Sequence, residues 1–387
     1  MAAHLCASGH DVHMVTAPPY YPYWQVQPGY KAWGYKREVW RGMEINRCPL
    51  WVPRKPSGLK RLLHLFSFAL SSFPVLLGQL RWKPDLVLCI APAFFCAPFV
   101  WLTARLSGAK SWLHIQDFEL EAATNLGMLQ ADHLLTRWAA RGESWLLARF
   151  DRVSTISNRM VLSLKNKGVP SDRSYYFPNW VDANEIFPLL DSQRTLRDVF
   201  DLPEDKIIVL YSGNMGNKHG LEIVVEAARE LQSNTQILFV LCGEGAARKD
   251  LERAANNLPN VKFISLQPVE KLNQLLNAPN IHILPQKTDA ADLVMPSKML
   301  GMLASGKPVI ATANPETEIG TVISQIGVLV PPGNQPALCE AILELAQSPQ
   351  MRACLGQKGR AFVCENWSTE HILADFELHL RELVPTF

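Results

Sequence analysis

The stretch VLYSGNMGNKHGLEIVVEAARE, Val209 to Glu230, decides the fold. An apolar strand runs into glycines at Gly213, Gly216 and Gly220 and then into an amphipathic helix, an order that points backbone N–H groups at an anion. The spacing fits neither common phosphate fingerprint. GxGxxG needs a glycine where Met215 stands, and a Walker loop needs GK followed by Ser or Thr. A dinucleotide oxidoreductase and a P-loop ATPase are therefore disfavoured from the start.

Outward from this stretch, apolar strands alternate with amphipathic helices, the pattern of α/β chains with parallel sheets. In the first half the expected strands are 11–17, 85–91, 110–116 and 152–157. A segment rich in Pro, Asn and Asp (177–193) reads as a linker. Strands then resume at 206–212, 236–243, 261–265, 281–286, 308–313 and 327–332. The expected architecture is two Rossmann-like domains facing across a cleft: 1–180, 181–365, and a terminal helix at 366–387 packing back toward the first domain. The opening MAAHLCASGHDVHMVTA reads as helix, Gly9 stop and second strand, so the first domain is expected to lack its first strand and the chain to be truncated at its start.

The chain has 387 residues, 48% apolar and 19% charged, enough for two large cores. Net charge is only +2, yet the segment from Lys31 to Lys83 carries eleven Lys and Arg against two Glu. The eight cysteines form no CxxC and no zinc pattern, which suits reduced, buried thiols. Two windows lack formal charge over about the length of a membrane span, 62–80 and 86–103. The second reads as a strand and a helix, and the first holds too many polar residues for a span.

In doubly wound sheets ligands sit beyond the carboxyl ends of the strands, and four such places look alike. The first is the loop with Gly213, Gly216, Lys218 and His219. The second is Gly243-Glu244-Gly245 feeding a helix with Arg248 and Lys249 in its first turn, cations that are unfavourable there unless an anion offsets them. The third is MPSKMLGMLASGKPVIAT, where Ser297 opens a helix and Lys298 lies in its first turn. The fourth is VPPGN (330–334), placed to lie against a base or ribose. An ordinary turn with a solvated lysine explains any one of these alone. Four in succession point to a bound diphosphate.

SGNMGNKHGLE, CGEGAARKDLE, MPSKMLGMLASGKPVIAT and GVLVPPGN, with PNWVD at the linker, resemble the donor domain of family-4 retaining glycosyltransferases of the GT-B fold. PPYYPYW (18–24) and IQDFELEAATNLG (115–127) resemble bacterial exopolysaccharide enzymes of the colanic acid type and O-antigen enzymes. The resemblance implies transfer of a hexose from a UDP- or GDP-linked nucleotide-sugar to a lipid-linked saccharide with retained configuration, no cofactor and no metal. Lys218 and Lys298 would then stabilise the leaving diphosphate, with Gly213, Gly216, His219, Gly243, Glu244, Arg248, Asp292 and Ser297 on the donor. Two positions depart from the pattern. Asn214 stands where an arginine is common, and the family's E-x7-E glutamates fall on Leu293 and Gly301, leaving Asp292 and Glu244 as the nearest acids.

On the acceptor side, WLHIQDFELE offers His114 and Asp117 after a strand, with Glu119 and Glu121 following. A core histidine and a helix-capping aspartate are the competing readings. Arg54, Lys55, Lys60 and Arg61 alternate with apolar and aromatic residues, as in a helix lying on an anionic bilayer. A helix packed on the sheet with a solvated basic edge is the alternative. The expected location is cytoplasmic, peripheral at the inner face of the plasma membrane, with no nucleic acid as partner. Two other functions stay open: an inactive nucleotide-sugar-binding partner protein, and a GT-B epimerase or phosphorylase.

Overall fold

The computed structural model describes residues 1–384 apart from 22, 56, 92–93, 119–133, 190–195, 217–218 and 288–295. The chain divides into two compact units, one formed by Met1–Phe177 with Leu373–Phe387, the other by Pro178–Ile372.

The second unit is built on one parallel sheet. Strands β8 (Ile207–Ser212), β9 (Ile237–Cys242), β10 (Val261–Ile264), β11 (Ile281–Pro285), β12 (Val309–Thr312) and β13 (Val328–Val330) lie in the order β10-β9-β8-β11-β12-β13. All pairings are parallel, Ile207 opposite Ile237 and His282 opposite Val309. Strands buried on both faces must be apolar throughout, and β9, ILFVLC, is buried at every residue. Helices Glu222–Glu230 and Gln335–Gln347 cover one face, their Val224, Ala228, Leu338 and Ile342 sharing a core with Val209, Phe239 and Ile283.

The first unit has its strands in two sheets. β1 (His13–Thr16), β2 (Lys36–Trp40) and β3 (Met43–Arg47) form a three-stranded sheet in the order β1-β3-β2. β4 (Leu86–Ala91), β5 (Lys110–Ile115), β6 (Arg152–Thr155) and β7 (Ser174–Tyr176) form a parallel sheet in that order. Among the described residues β1 pairs only with β3, and β4 only with β5. Helices Gly58–Gly78, Ala97–Ser107 and Leu134–Leu147 join one core with β4, β5 and β6 through Ala69, Leu76, Val100, Leu147, Leu113 and Val153. The terminal helix Thr369–Leu383 enters this unit by its last turns, where Phe376 packs on Trp112 (5.0 Å) and Phe177 (4.7 Å) and Asp375 accepts from the Tyr175 phenol at 2.5 Å.

The charge-free window 86–103 resolves into β4 and the start of helix Ala97–Ser107, a strand followed by a helix. The window 62–80 lies in helix Gly58–Gly78 and the 3-10 turn Gln79–Arg81 that continues it, together long and apolar enough by length and composition to cross a membrane. His64, Ala69, Ser72 and Leu76 are its buried residues. Leu59, Leu62, Leu63, Phe66 and Leu70 are exposed, spaced as one outward stripe.

Candidate functional site

In the second unit the chain leaves β8 toward β9 and β10 and returns to β11 on its other side, so the switch point lies between the carboxyl ends of β8 and β11. The loop after β8 reaches across it. Gly220, at φ +66°, sits so near the end of β11 that an added Cβ would stand 3.2 Å from the Lys287 nitrogen.

Three of the glycines have a second task. The loops after β8 and β9 continue to pair past the sheet: Gly213 N–H donates to Cys242 O, Met215 N–H to Glu244 O and Ala247 N–H to Met215 O, all at 2.8–2.9 Å. A Cβ at Gly243 would stand 1.9 Å from Gly213 O, and one at Gly245 would stand 2.4 Å from Met215 O. Gly213, Gly243 and Gly245 also lie at φ +136°, +151° and +157°, a region open in practice to glycine alone. They allow two loops to lie back to back. Gly216 has no such constraint, and its nearest neighbour is the His219 ring at 3.5 Å.

Helix Ser297–Ala304 begins at this end of the sheet. Ser297 is exposed on its first turn, and the Lys298 side chain reaches back to the β8 loop, where a Cβ on Gly213 would meet Lys298 Cδ at 3.5 Å. Lys298 Nζ donates to the Tyr211 hydroxyl at 3.1 Å, and that hydroxyl donates to Asn214 O at 2.6 Å. Burial pulls the ammonium down to about 8 and pushes the Tyr211 phenol up. The phenol therefore stays neutral and keeps a lone pair on the lysine. A cation beside a glycine loop and a helix amino end is an arrangement that accepts an anion. Tyr211 was not singled out from the sequence, where it reads as one more large residue of a buried strand.

Arg248 opens helix Arg248–Ala254, but the offsetting anion is supplied by the chain. Its guanidinium donates to Glu244 at 2.5 Å, to Glu252 at 2.8 Å and to Gly243 O at 2.7 Å. A free phosphate is not needed to explain it, and Glu244 is tied to Arg248. In the VPPGN turn, Asn334 Oδ1 accepts from Ala337 N–H and caps the next helix. Gly301, where the second signature glutamate would fall, packs against helix Leu272–Asn277, and a Cβ there would lie 3.0 Å from Leu276 Cδ1. Lys218, Asp292, Glu119, Glu121 and Leu293 lie outside the described residues.

In the first unit Asp117 is exposed on the bend after β5. His114 is a core residue instead. Its Nδ1 is 2.9 Å from Ser154 Oγ and its Nε2 2.8 Å from Gln116 Nε2, and burial pushes it down to about 4, so it is neutral and enclosed. This removes it from the acceptor surface, because a ring enclosed on both nitrogens meets no sugar. Arg54, Lys55, Lys60 and Arg61 are all exposed at the start of helix Gly58–Gly78. Among the described residues no three His, Cys, Asp or Glu side chains gather where a metal ion could be held.

Residues 1–180 match the glycosyl transferase 4-like domain and residues 192–362 match the family Glycosyl transferases group 1. Over 98% of its length the chain is 42% identical to WcaI of Escherichia coli (strain K12), of which 94% is covered and whose name proposes glycosyl transfer in colanic acid biosynthesis. The sucrose-phosphate synthase of Thermosynechococcus elongatus superposes with a TM-score of 0.77 at 20% identity, over all of this chain and 92% of that one. HepE of Anabaena, solved with UDP and glucose, gives 0.65 at 16% identity over 88% and 86% of the two chains. At such identities these superpositions speak for the fold alone. With both halves matched in order and a relative this similar along nearly its whole length, the chain belongs to the group 1 glycosyl transferases and has their two-domain GT-B fold.

Proposed function

We propose that this glycosyltransferase moves a hexose from a UDP- or GDP-linked donor to a lipid-linked saccharide in exopolysaccharide or other cell-surface polysaccharide synthesis, with retention at the anomeric carbon. The observation that carries the reading is Lys298, whose ammonium is held beside Gly213 at the switch point of the second sheet. The likeness to WcaI supports the polysaccharide setting.

Cleaving the C1–O bond of the donor leaves charge on the diphosphate, and groups already aimed at that charge lower the barrier. Lys298 and the amino end of helix Ser297–Ala304 take that part, joined by Lys218 in the loop after β8. The acceptor hydroxyl attacks C1 on the face the diphosphate leaves, and its proton passes to the departing phosphate oxygen, so no strong protein base is required. No step is assigned to a metal or cofactor. Asp117 is the acceptor-side residue. The enzyme works at the cytoplasmic face of the plasma membrane, with the basic residues from Arg54 to Arg61 and the exposed leucines after them turned to the lipid.

Incubating the purified protein with UDP- and GDP-sugars without acceptor tests this directly. Slow release of UDP or GDP from one donor is expected. Lys298→Ala should reduce it about 100- to 1,000-fold, the loss of about 3 to 4 kcal/mol for one preorganised donor. Donor binding with no release would instead mark an inactive binding partner and overturn the transferase reading.

A further inference from the structure

Three arginines of the first unit lie over tryptophan rings, one on or just past each of three described helices. Arg61 stands 5.5 Å from the centre of Trp24, Arg105 5.9 Å from Trp101, and Arg149 3.6 Å from Trp145. The helices are neighbours: Phe73 packs on Phe99 at 4.5 Å, and Trp101 meets Trp145 edge-on at 6.2 Å. They share one core over β4–β6, so they form one layer on one face of that sheet.

The outer side of this layer is apolar and cationic. Helix Gly58–Gly78 contributes its exposed leucines and Phe66, and helix Ala97–Ser107 contributes Leu106 beside Arg105. On helix Leu134–Leu147, Trp138 is 66% and Trp145 52% exposed, and Arg137 and Arg141 are exposed with them. Trp138, Arg141, Trp145 and Arg149 follow at steps of three, four and four, one stripe along the helix. Two large indoles left in water on a packed helix call for a partner.

Charge decides which partner. Across the three helices the one acid is Glu143, which is buried and paired with Lys167 at 2.6 Å. Lys60, Arg61, Arg105, Arg137 and Arg141 therefore face outward among aromatics with no carboxylate on those helices to answer them, and Arg149, half-buried just past the last helix, lies over Trp145 and donates to its carbonyl. Indole rings settle at the level of lipid headgroups, and arginines beside them meet anionic phosphates.

We infer that helix Leu134–Leu147 is a second membrane anchor, with Trp138 and Trp145 entering the headgroup layer of an anionic bilayer and Arg137, Arg141 and Arg149 on its phosphates. With helix Gly58–Gly78 it gives the first unit two lines of contact instead of one, which fixes the tilt of that unit on the surface. The inference rests on the membrane reading above and adds a contact to it.

The test is sedimentation with vesicles of phosphatidylcholine containing phosphatidylglycerol, compared across wild type, Trp138→Ala/Trp145→Ala, Arg137→Gln/Arg141→Gln, and Phe66→Ser/Leu70→Ser. Each double variant is expected to lower the partition coefficient at least about tenfold, since each arginine near such a surface contributes about fivefold. High salt should weaken the wild type more than the arginine variant. Donor hydrolysis should stay unchanged in the tryptophan variant, because neither side chain belongs to the donor site, and its unfolding temperature should fall by no more than about 4 °C, since Trp138 is exposed and Trp145 is half-exposed against Trp101. Wild-type binding that the Phe66/Leu70 variant loses, with the Trp138/Trp145 and Arg137/Arg141 variants unaffected, would overturn the second anchor and leave the first. No binding by the wild type at all would overturn both and favour a protein partner on this face.

Discussion

Lys298 titrates at about 8 because burial disfavours its charged form. The unfolded chain holds that proton up to the usual lysine range, so between pH 8 and about 10.5 it binds more protons than the folded chain. This group's contribution to stability therefore rises with pH across that window, and at neutral pH the buried cation is a cost. Lys298→Met should raise the unfolding temperature at pH 7 while reducing donor turnover as far as Lys298→Ala does, a trade common at functional sites. Donor affinity should be flat below about pH 7 and fall through pH 8 as the ammonium is lost. Tyr211→Phe keeps the ring and removes the oxygen on Nζ, so the fall should move to lower pH, read by UDP or GDP titration at several pH values. A purely structural tyrosine would change the unfolding temperature and leave that midpoint in place. Lys298 was legible from a cation at a helix amino end. The same reasoning applied to Arg248 asked for an outside anion although Glu244 and Glu252, four residues to either side, already answer it.

At the scale of elements, what sequence periodicity exposes is burial. The all-apolar runs of β8, β9, β11 and β12 stand out because both faces are covered. β2, KREVW, does not, since its side chains are mostly exposed and its pattern is polar. The signal available there was the turn after it, Arg41-Gly42, where both residues take positive φ and close a hairpin with β3. β7, three residues long, carries too little pattern to be read. The glycine loops were legible as loops, whereas their mutual packing was not, because it depends on how closely the ends of two strands separated by a helix lie side by side. That packing separates two substitutions that look alike on paper. Gly243→Ala forces a methyl group into Gly213 O at a backbone angle alanine avoids, and should cost at least about 2 kcal/mol of stability, measured by urea unfolding. Gly216→Ala should stay within about 1 kcal/mol, because its neighbours lie at ordinary contact distance. Equal losses from the two would mean that the loops do not meet as described.

The two units carry the same kind of alternating sequence but end as different sheets. In the second unit six strands run as one sheet, and β8 and β11 at its centre are almost wholly buried. In the first unit the parallel strands stop at β1 on one side and β4 on the other. No residue of β1 is fully buried, and Ile90 of β4 is 46% exposed. Such strands resemble sheet edges more than sheet centres, with backbone groups on one side that no described strand satisfies. The exposure of β1 and β4 has the direct physical consequence that these strands bury less than β8 and β11 do. Two calorimetric transitions are therefore expected, the lower from the first unit, with amide exchange in β1 and β4 faster than in β8 and β9. The donor nucleotide supplies the assignment, because the proposed donor site lies beyond β8 and β11. At about 100 times its dissociation constant it stabilises the unit that holds it by about 2.7 kcal/mol, raising that transition by roughly 5 to 10 °C for a unit of this size. The upper transition should move with UDP or GDP while the lower one stays. If both move together the units unfold as one, and if only the lower moves the nucleotide site belongs to the first unit.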